Sequence, residues 1–182
     1  MKQVFIIITP IIVIVFIILI AVTLLRIPIS KGKFLKQARL LVQLFCPPKD
    51  LFDLVVDKEI DVTNLNNPQS FKFKIKYIGP YTGGILLEKF SDDLYRKKYE
   101  LQLRIKLDFY NDNKLLISKE TSNYSPFYGR RGDGLMLFEF KSPEDIPIDA
   151  EIICKSTILA TDEYLSQQYG SMRLYIQKES EE

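Results

Sequence analysis

An uninterrupted apolar run near the N-terminus constrains this chain more than any other feature. Val4 to Leu25 spans 22 consecutive residues without a charge, and its only polar residues are Thr9 and Thr23. As a helix rising about 1.5 Å per residue it would measure roughly 33 Å, enough to cross a hydrocarbon core of about 30 Å. A usual signal peptide has a shorter apolar run of about 7–15 residues, and no small-residue cleavage site follows here. We therefore predict an uncleaved, single-pass membrane anchor over residues 1–30.

Charge is distributed unevenly along the 182 residues. The first 49 carry seven basic residues and no acidic one, whereas the rest of the chain carries 18 basic and 23 acidic residues. This pattern leaves the side of the membrane open. Basic residues after the apolar run favour a cytoplasmic domain by the positive-inside rule, whereas a short basic tail before a first apolar helix is typical of an exported domain. Of the two we favour an extracytoplasmic, periplasmic domain.

A basic amphipathic helix is predicted directly after the anchor, within residues 31–48. Pro47-Pro48 ends it, because the residue before a proline disfavours helical backbone angles. Its apolar positions, at helical spacing, are Phe34, Leu35, Ala38, Leu41, Val42 and Phe45. Such a helix can lie in the lipid headgroup layer, or it can pack onto the domain that follows. The residues expected at the membrane surface in the first case are Lys31, Lys33, Lys36 and Arg39.

From Leu51 onward the pattern is that of β-structure. Residues 71–77 and 101–109 alternate apolar with polar side chains, which predicts strands with one face in a core. A turn at Asn111-Asp-Asn then predicts a hairpin partner at residues 114–119. Further strands are predicted at 55–62, 84–90, 135–140, 151–158 and 172–177. This pattern predicts an antiparallel, Ig-like or jelly-roll-like β-sandwich over residues 49–178, with an acidic tail at 179–182.

Within that sandwich, alternation also predicts which side chains point inward. The expected core residues include Phe73, Ile75, Leu103, Ile105 and Leu174. Residues 78–84, rich in glycine, are interpreted as a connection between strands. Thr161 is expected to cap a short helix over residues 161–168.

Residues 122–134 are predicted to form a long loop and are the main candidate for a binding site. Aromatic residues stand beside arginines there, and these residue types offer rigid apolar area and bidentate hydrogen-bond donors. The candidate binding residues are Tyr124, Phe127, Tyr128, Arg130 and Arg131. The alternative is that the aromatic side chains pack back onto the edge of the sandwich.

Composition excludes several kinds of catalytic site. The chain has no His, which removes Ser–His and Cys–His nucleophile systems and His-ligated metals, and its two Cys cannot form a four-thiolate zinc site. Adjacent carboxylates occur at Asp92/Asp93, Glu144/Asp145 and Asp162/Glu163. A carboxylate pair that hydrolyses glycosides stands on different elements across a cleft, whereas sequence neighbours usually point apart. We expect no catalytic residues, no cofactor and no metal, and the net charge of −5 after residue 49 argues against nucleic acid.

Four segments follow one another in a distinctive order. They are Glu59-Ile-Asp-Val-Thr, Ser70-Phe-Lys-Phe-Lys-Ile-Lys, Leu101 to Phe109 with its Asn111 turn, and Ser171-Met-Arg-Leu-Tyr-Ile-Gln. This order resembles an uncharacterised bacterial family of small membrane-attached or secreted β-sandwich proteins, over about residues 51–178. The resemblance implies a sandwich fold and offers no catalytic residues that could be carried over to this chain.

Together these features predict a membrane-anchored β-sandwich of non-catalytic binding or accessory type. Its expected partners are the lipid bilayer, through the N-terminal helix, and a protein, through residues 122–134. Two alternatives stay open, an immunity-type inhibitor of a partner toxin or enzyme and a carboxylate-based hydrolase acting near the membrane.

Overall fold

The chain divides into two compact units, residues 1–51 and residues 52–180. The structure, a computed structural model, describes residues 2–33, 36–87, 101–121, 124–129, 132–169 and 172–180. The predicted fold class is confirmed, because the second unit is built from two antiparallel sheets and an apolar helix precedes it.

The first unit is helical. Helix α1 (Lys2–Pro28) leads through a π-helical turn (Ile29–Lys33) into α2 (Lys36–Phe45). Gly32 stands in the turn with φ at 79°, a left-handed conformation that glycine adopts without a steric penalty, and the helix axis kinks there. Among the described residues, one helical stretch of 21 residues, Ile12–Gly32, is long and apolar enough to cross a membrane.

The described part of the second unit contains nine strands and one short helix. The strands are β1 (Leu54–Glu59), β2 (Gln69–Lys74), β3 (Gly79–Leu87), β4 (Arg104–Asn111), β5 (Lys114–Thr121), β6 (Ser125–Gly129), β7 (Gly132–Ser142), β8 (Glu151–Ala160) and β9 (Met172–Lys178). The helix, α3 (Glu163–Gln168), lies between β8 and β9.

The connectivity of the strands is that of a jelly roll. One sheet has the order β1-β9-β3-β7-β6 and the other the order β2-β8-β4-β5. The first strand thus pairs with the ninth, the second with the eighth, the third with the seventh and the fourth with the fifth. This is a long hairpin wrapped into two sheets, with β6 added beside β7. Of the two sandwich types predicted, the jelly roll is the one formed.

The core lies between the two sheets, and the predicted core residues are confirmed. Phe73, Ile75, Leu103, Ile105 and Leu174 are all buried. Phe109 of β4 joins the sheets, because its ring centroid lies 6.0 Å from that of Phe138 and 5.8 Å from that of Phe140, both on β7. The lysines that alternate with the core residues of β2 are exposed, as predicted.

The turn between β4 and β5 is also as predicted. Asn111 pairs with Lys114, which leaves Asp112 and Asn113 as a two-residue turn. Their φ angles are 47° and 65°, so both adopt the left-handed conformation that a type I′ hairpin turn requires.

The predicted connection at residues 78–84 is wrong, because β3 begins at Gly79 and runs through these residues. Neighbouring atoms fill the space that a side chain would need at two of its glycines. A Cβ atom on Gly83 would lie 2.0 Å from Cζ of Phe138, and one on Gly84 would lie 1.9 Å from the carbonyl oxygen of Leu135. The two glycines therefore allow close packing within a strand and do not form a turn.

The prediction that residues 122–134 form one long loop is also wrong. Residues 125–129 form β6, which pairs with the first residues of β7 in an antiparallel hairpin. Alternation is hard to see in β6 because the strand contains Pro126 and ends at Gly129. Proline is tolerated in this position because β6 is an edge strand, where one side of the backbone needs no ladder hydrogen bonds.

The cap of α3 is Asp162 and not Thr161. Asp162 Oδ1 accepts a hydrogen bond from the backbone N–H of Leu165 at 3.0 Å. Oδ2 of the same carboxylate accepts one from the backbone N–H of Gln102 at 2.8 Å, so the side chain also ties the helix to the residues before β4. A carboxylate is favourable here because the first turn of a helix presents unpaired N–H groups and a positive dipole end.

Candidate functional site

A cleft of about 460 Å³ opens at one side of the sandwich, between β5 of the smaller sheet and β7 of the larger one. The residues that line it are Lys119, Tyr124, Ser125, Met136, Leu137, Phe138 and Glu139. Tyr124 and Ser125 lie where the chain leaves β5 and enters β6. The cleft therefore lies beside the crossing of the chain from one sheet to the other.

The cleft is open because β6 covers only part of β7. The two strands pair as far as Met136, whereas β7 continues to Ser142. The next residue, Leu137, is the extra residue of a β-bulge opposite Gly83 and Gly84 of β3. A bulge bends its strand and is often found where strand pairing ends. In the described part of the chain, β7 therefore has no ladder partner beyond Met136 on its side away from β3.

The lining offers several kinds of contact within one concave surface. Lys119 pairs with Leu107 across the β4–β5 ladder, and residues directly opposite each other point to the same face of a sheet. Because Leu107 belongs to the core, Lys119 points to the inner face of the sheet at its open edge and is half-buried there. With Glu139, two aromatic rings and two aliphatic side chains, the cleft combines charges of both signs with apolar area.

The five candidate binding residues are not all found in this cleft. Tyr124 lines it and is half-buried against the core. Phe127 is half-buried on the outer face of the larger sheet, where its ring centroid lies 5.3 Å from that of Tyr175. Tyr128 belongs to β6 but its side chain is outside the description, and Arg130 and Arg131 lie outside the described residues. The binding role of these residues stays a prediction, and Tyr124 is the one that the cleft contains.

Two of the adjacent carboxylate pairs contain a residue that holds local structure together. Asp145 Oδ2 accepts a hydrogen bond from the backbone N–H of Lys141 at 2.7 Å, in the turn after β7. Asp162 caps α3 as described above, while Glu163 is exposed. Asp92 and Asp93 lie outside the described residues.

The pKa shifts of the described carboxylates do not point to a general acid. Hydrogen bonds from Thr63 lower the pKa of Asp61. A hydrogen bond from Lys72, and then its charge, lower the pKa of Glu151. Both carboxylates are exposed, neither lines the cleft, and both are ionised near neutral pH, whereas a general acid needs a raised pKa.

Two buried groups have raised pKa values. Burial, followed by the charge of Asp108, raises the pKa of the Cys154 thiol. Burial, followed by the charge of Glu179, raises the pKa of Tyr175 against the opposing effect of a hydrogen bond with Thr82. Both groups therefore stay protonated at neutral pH, and Cys154 is a poor nucleophile because the thiolate is the reactive form of cysteine.

The residues predicted at the membrane surface belong to the first unit. Lys31 lies in the π-helical turn and is half-buried; Lys36 is exposed and Arg39 half-buried, both on α2. The side chain of Lys33 is outside the description. Within the described residues no group of three or more Cys, Asp or Glu side chains could hold a metal ion.

No protein-family model matches the chain, and no curated protein shows significant similarity to it. The resemblance to a bacterial family of membrane-attached or secreted β-sandwich proteins therefore stays a prediction.

Proposed function

We propose that this protein is a single-pass, membrane-anchored binding or accessory module of non-catalytic type, which holds a segment of a protein partner in the cleft between β5 and β7. The observation that carries the proposal is the cleft itself, a concave surface beside a stretch of β7 that has no ladder partner among the described residues. Clefts with apolar walls and a few placed polar groups are the usual form of binding sites.

The chemistry of the lining supports a polypeptide as the ligand. Tyr124 and Phe138 supply aromatic surface, and Met136 can adapt its shape to different side chains. Lys119 and Glu139 offer a donor and an acceptor that can pair with charges of either sign on the partner. Tyrosine is also enriched among the residues that contribute most to binding in protein interfaces.

A carboxylate-based hydrolase is supported less well. It would need a second carboxylate across the cleft from Glu139, at roughly 5–10 Å, with one of the two kept protonated. Glu139 is the one carboxylate among the described lining residues.

An immunity-type inhibitor would use the same cleft as the binding module, and the identity of the recovered partner distinguishes the two.

Reversing the charge at Lys119 tests the binding proposal. We expect Lys119→Glu to weaken binding of the partner by about 1–3 kcal/mol, roughly 5- to 150-fold, because it places a repulsive charge inside the cleft. Lys114→Glu is the matched control, since Lys114 is an exposed lysine at the other end of β5 and does not line the cleft. Each variant is compared in quantitative pull-downs from detergent-solubilised source membranes, with a melting curve beside each.

The proposal is supported if partner recovery drops for Lys119→Glu alone while both variants melt like the wild type. Equal recovery by both variants would exclude the cleft as the recognition site. A lower melting temperature for Lys119→Glu would mean that the lysine stabilises the fold, and Lys119→Ala would then replace it in the same comparison.

We also propose that the sandwich lies on the extracytoplasmic side, and the two cysteines provide the test. Both are free thiols; Cys46 is partly exposed, whereas Cys154 is fully buried and its pKa is raised. We expect a membrane-impermeant maleimide to label Cys46 in intact cells, since exposed thiols react much faster than buried ones. In a Cys46→Ser variant, labelling is expected only after unfolding in urea, when Cys154 becomes accessible. Labelling of Cys46 only after permeabilisation would place the domain in the cytoplasm.

A further inference from the structure

Helix α2 exposes a continuous apolar stripe, and the proposed binding of a partner in the cleft does not explain it. Leu41, Leu44 and Phe45 are spaced three and four residues apart, so they form one face of the helix. Their exposed fractions are 58%, 74% and 71%, values that are high for large apolar side chains. Val42, at the border of this face, is buried instead. The stripe is therefore the part of the apolar face that the rest of the chain does not cover, so it contacts either solvent or another molecule.

The position of α2 in the chain limits what the stripe can contact, because α2 follows the proposed membrane-spanning helix closely. Seven residues separate the end of α1 at Pro28 from the start of α2 at Lys36. Even a fully extended connection of that length reaches only about 25 Å, and the π-helical turn shortens it. If α1 spans the bilayer, α2 must begin near the boundary between lipid and water.

The charge of this region suits the same location. Residues 1–49 carry seven basic residues and no acidic one. On α2 itself, Lys36 and Arg39 lie on the side opposite the stripe, since about 100° of rotation separates successive residues of a helix. An apolar face on one side and basic residues on the other are typical of helices that lie in the membrane interface, where anionic headgroups attract the basic side.

We propose that α2 lies in the membrane interface with Leu41, Leu44 and Phe45 inserted between the lipid headgroups and the acyl chains. This inference rests on the proposed membrane anchor, because α1 is what brings α2 to the bilayer. It assigns the stripe to lipid and leaves the protein partner to the cleft. The chain would then contact the membrane twice, once through a spanning helix and once through a helix lying along the surface.

The absence of tryptophan from the chain allows a direct test. Phe45→Trp introduces a single fluorescent reporter within the stripe. Gln43→Trp is the matched control, placed two residues away and therefore about 200° around the helix, on the polar side. Phe16→Trp places a reporter at an exposed position within α1. Each full-length variant is reconstituted into vesicles of phosphatidylcholine and phosphatidylglycerol that contain lipids brominated at shallow or at deep acyl carbons.

We expect the Phe45→Trp reporter to emit at short wavelength and to lose most of its intensity to shallow-brominated lipids, whereas the Gln43→Trp reporter is quenched weakly. The Phe16→Trp reporter should be quenched best by deep-brominated lipids. If Phe16→Trp is quenched and Phe45→Trp is not, α1 is inserted in the bilayer but α2 does not lie in the interface. This result overturns the proposal for α2, whatever the emission wavelength of Phe45→Trp. If neither is quenched, the anchor itself has failed.

Discussion

Replacing Ile105 with alanine is expected to lower the free energy of unfolding of the sandwich by about 2–5 kcal/mol. Ile105 is fully buried in β4 and lies opposite Ile158 on β8 and Thr121 on β5, so it sits within the interior of the smaller sheet. Truncation removes three methyl or methylene groups from contact with the core. The loss is large because packed neighbours on both sides can fill the cavity only in part.

Urea unfolding of a chain that begins at Pro47 measures this effect without the apolar helix. Residues 52–180 form a compact unit of their own, so this shorter chain is expected to be soluble and folded. Lys74→Ala, at an exposed position on β2, is the control and should change stability by less than about 0.5 kcal/mol. Equal tolerance at both positions would contradict the register assigned to these strands.

A methyl group added at Gly84 should destabilise the larger sheet by about 3 kcal/mol, at the upper end for overpacking. The new Cβ of Gly84→Ala would lie 1.9 Å from the carbonyl oxygen of Leu135 and 2.9 Å from the ring of Tyr175. A backbone oxygen cannot rotate away as a side chain can, so the β3–β7 ladder must shift. Gly134→Ala should act in the same way, since its Cβ would lie 2.1 Å from the carbonyl oxygen of Ile85.

The same urea experiment checks these glycines, with Ser70→Ala on the exposed face of β2 as the control. Glycine-to-alanine changes that fit the native backbone usually stabilise a protein by about 0.4–1 kcal/mol, because they restrict the unfolded chain. Unchanged or raised stability of Gly84→Ala would therefore show that the close approach of β3 and β7 does not exist in solution.

Strands with regular alternation could be predicted from sequence because one side of each faces the core. The strands β2, β4 and β8 follow this rule, and burial alternates along them. The strand β3 does not, since all residues from Tyr81 to Leu87 are buried and two glycines interrupt the pattern. A strand that is covered on both faces has no polar side to alternate, so periodicity cannot identify it.

Only part of the cleft lining can be predicted from the sequence. The position of Tyr124 in an aromatic and arginine-rich segment predicts a binding role for it. The four consecutive β7 residues from Met136 to Glu139 gave no local signal, because their role depends on where β6 stops pairing and where the bulge in β7 falls. The sequence does not indicate a role for Lys119, because a lysine near a strand end is usually solvated, whereas here the edge of the sandwich places it at a cleft.

Site-specific photocrosslinking in source membranes tests most directly whether the cleft receives a protein partner. A photoreactive residue at Ser125, which is exposed and lines the cleft, is compared with one at Ser70, which is exposed on β2 of the other sheet. We predict a discrete protein adduct from the photoreactive residue at Ser125 and none from the one at Ser70. The Ser125 adduct should be lost when the chain also carries Lys119→Glu and kept when it carries Lys114→Glu. No adduct at Ser125, or an adduct of equal yield in both backgrounds, would contradict the account.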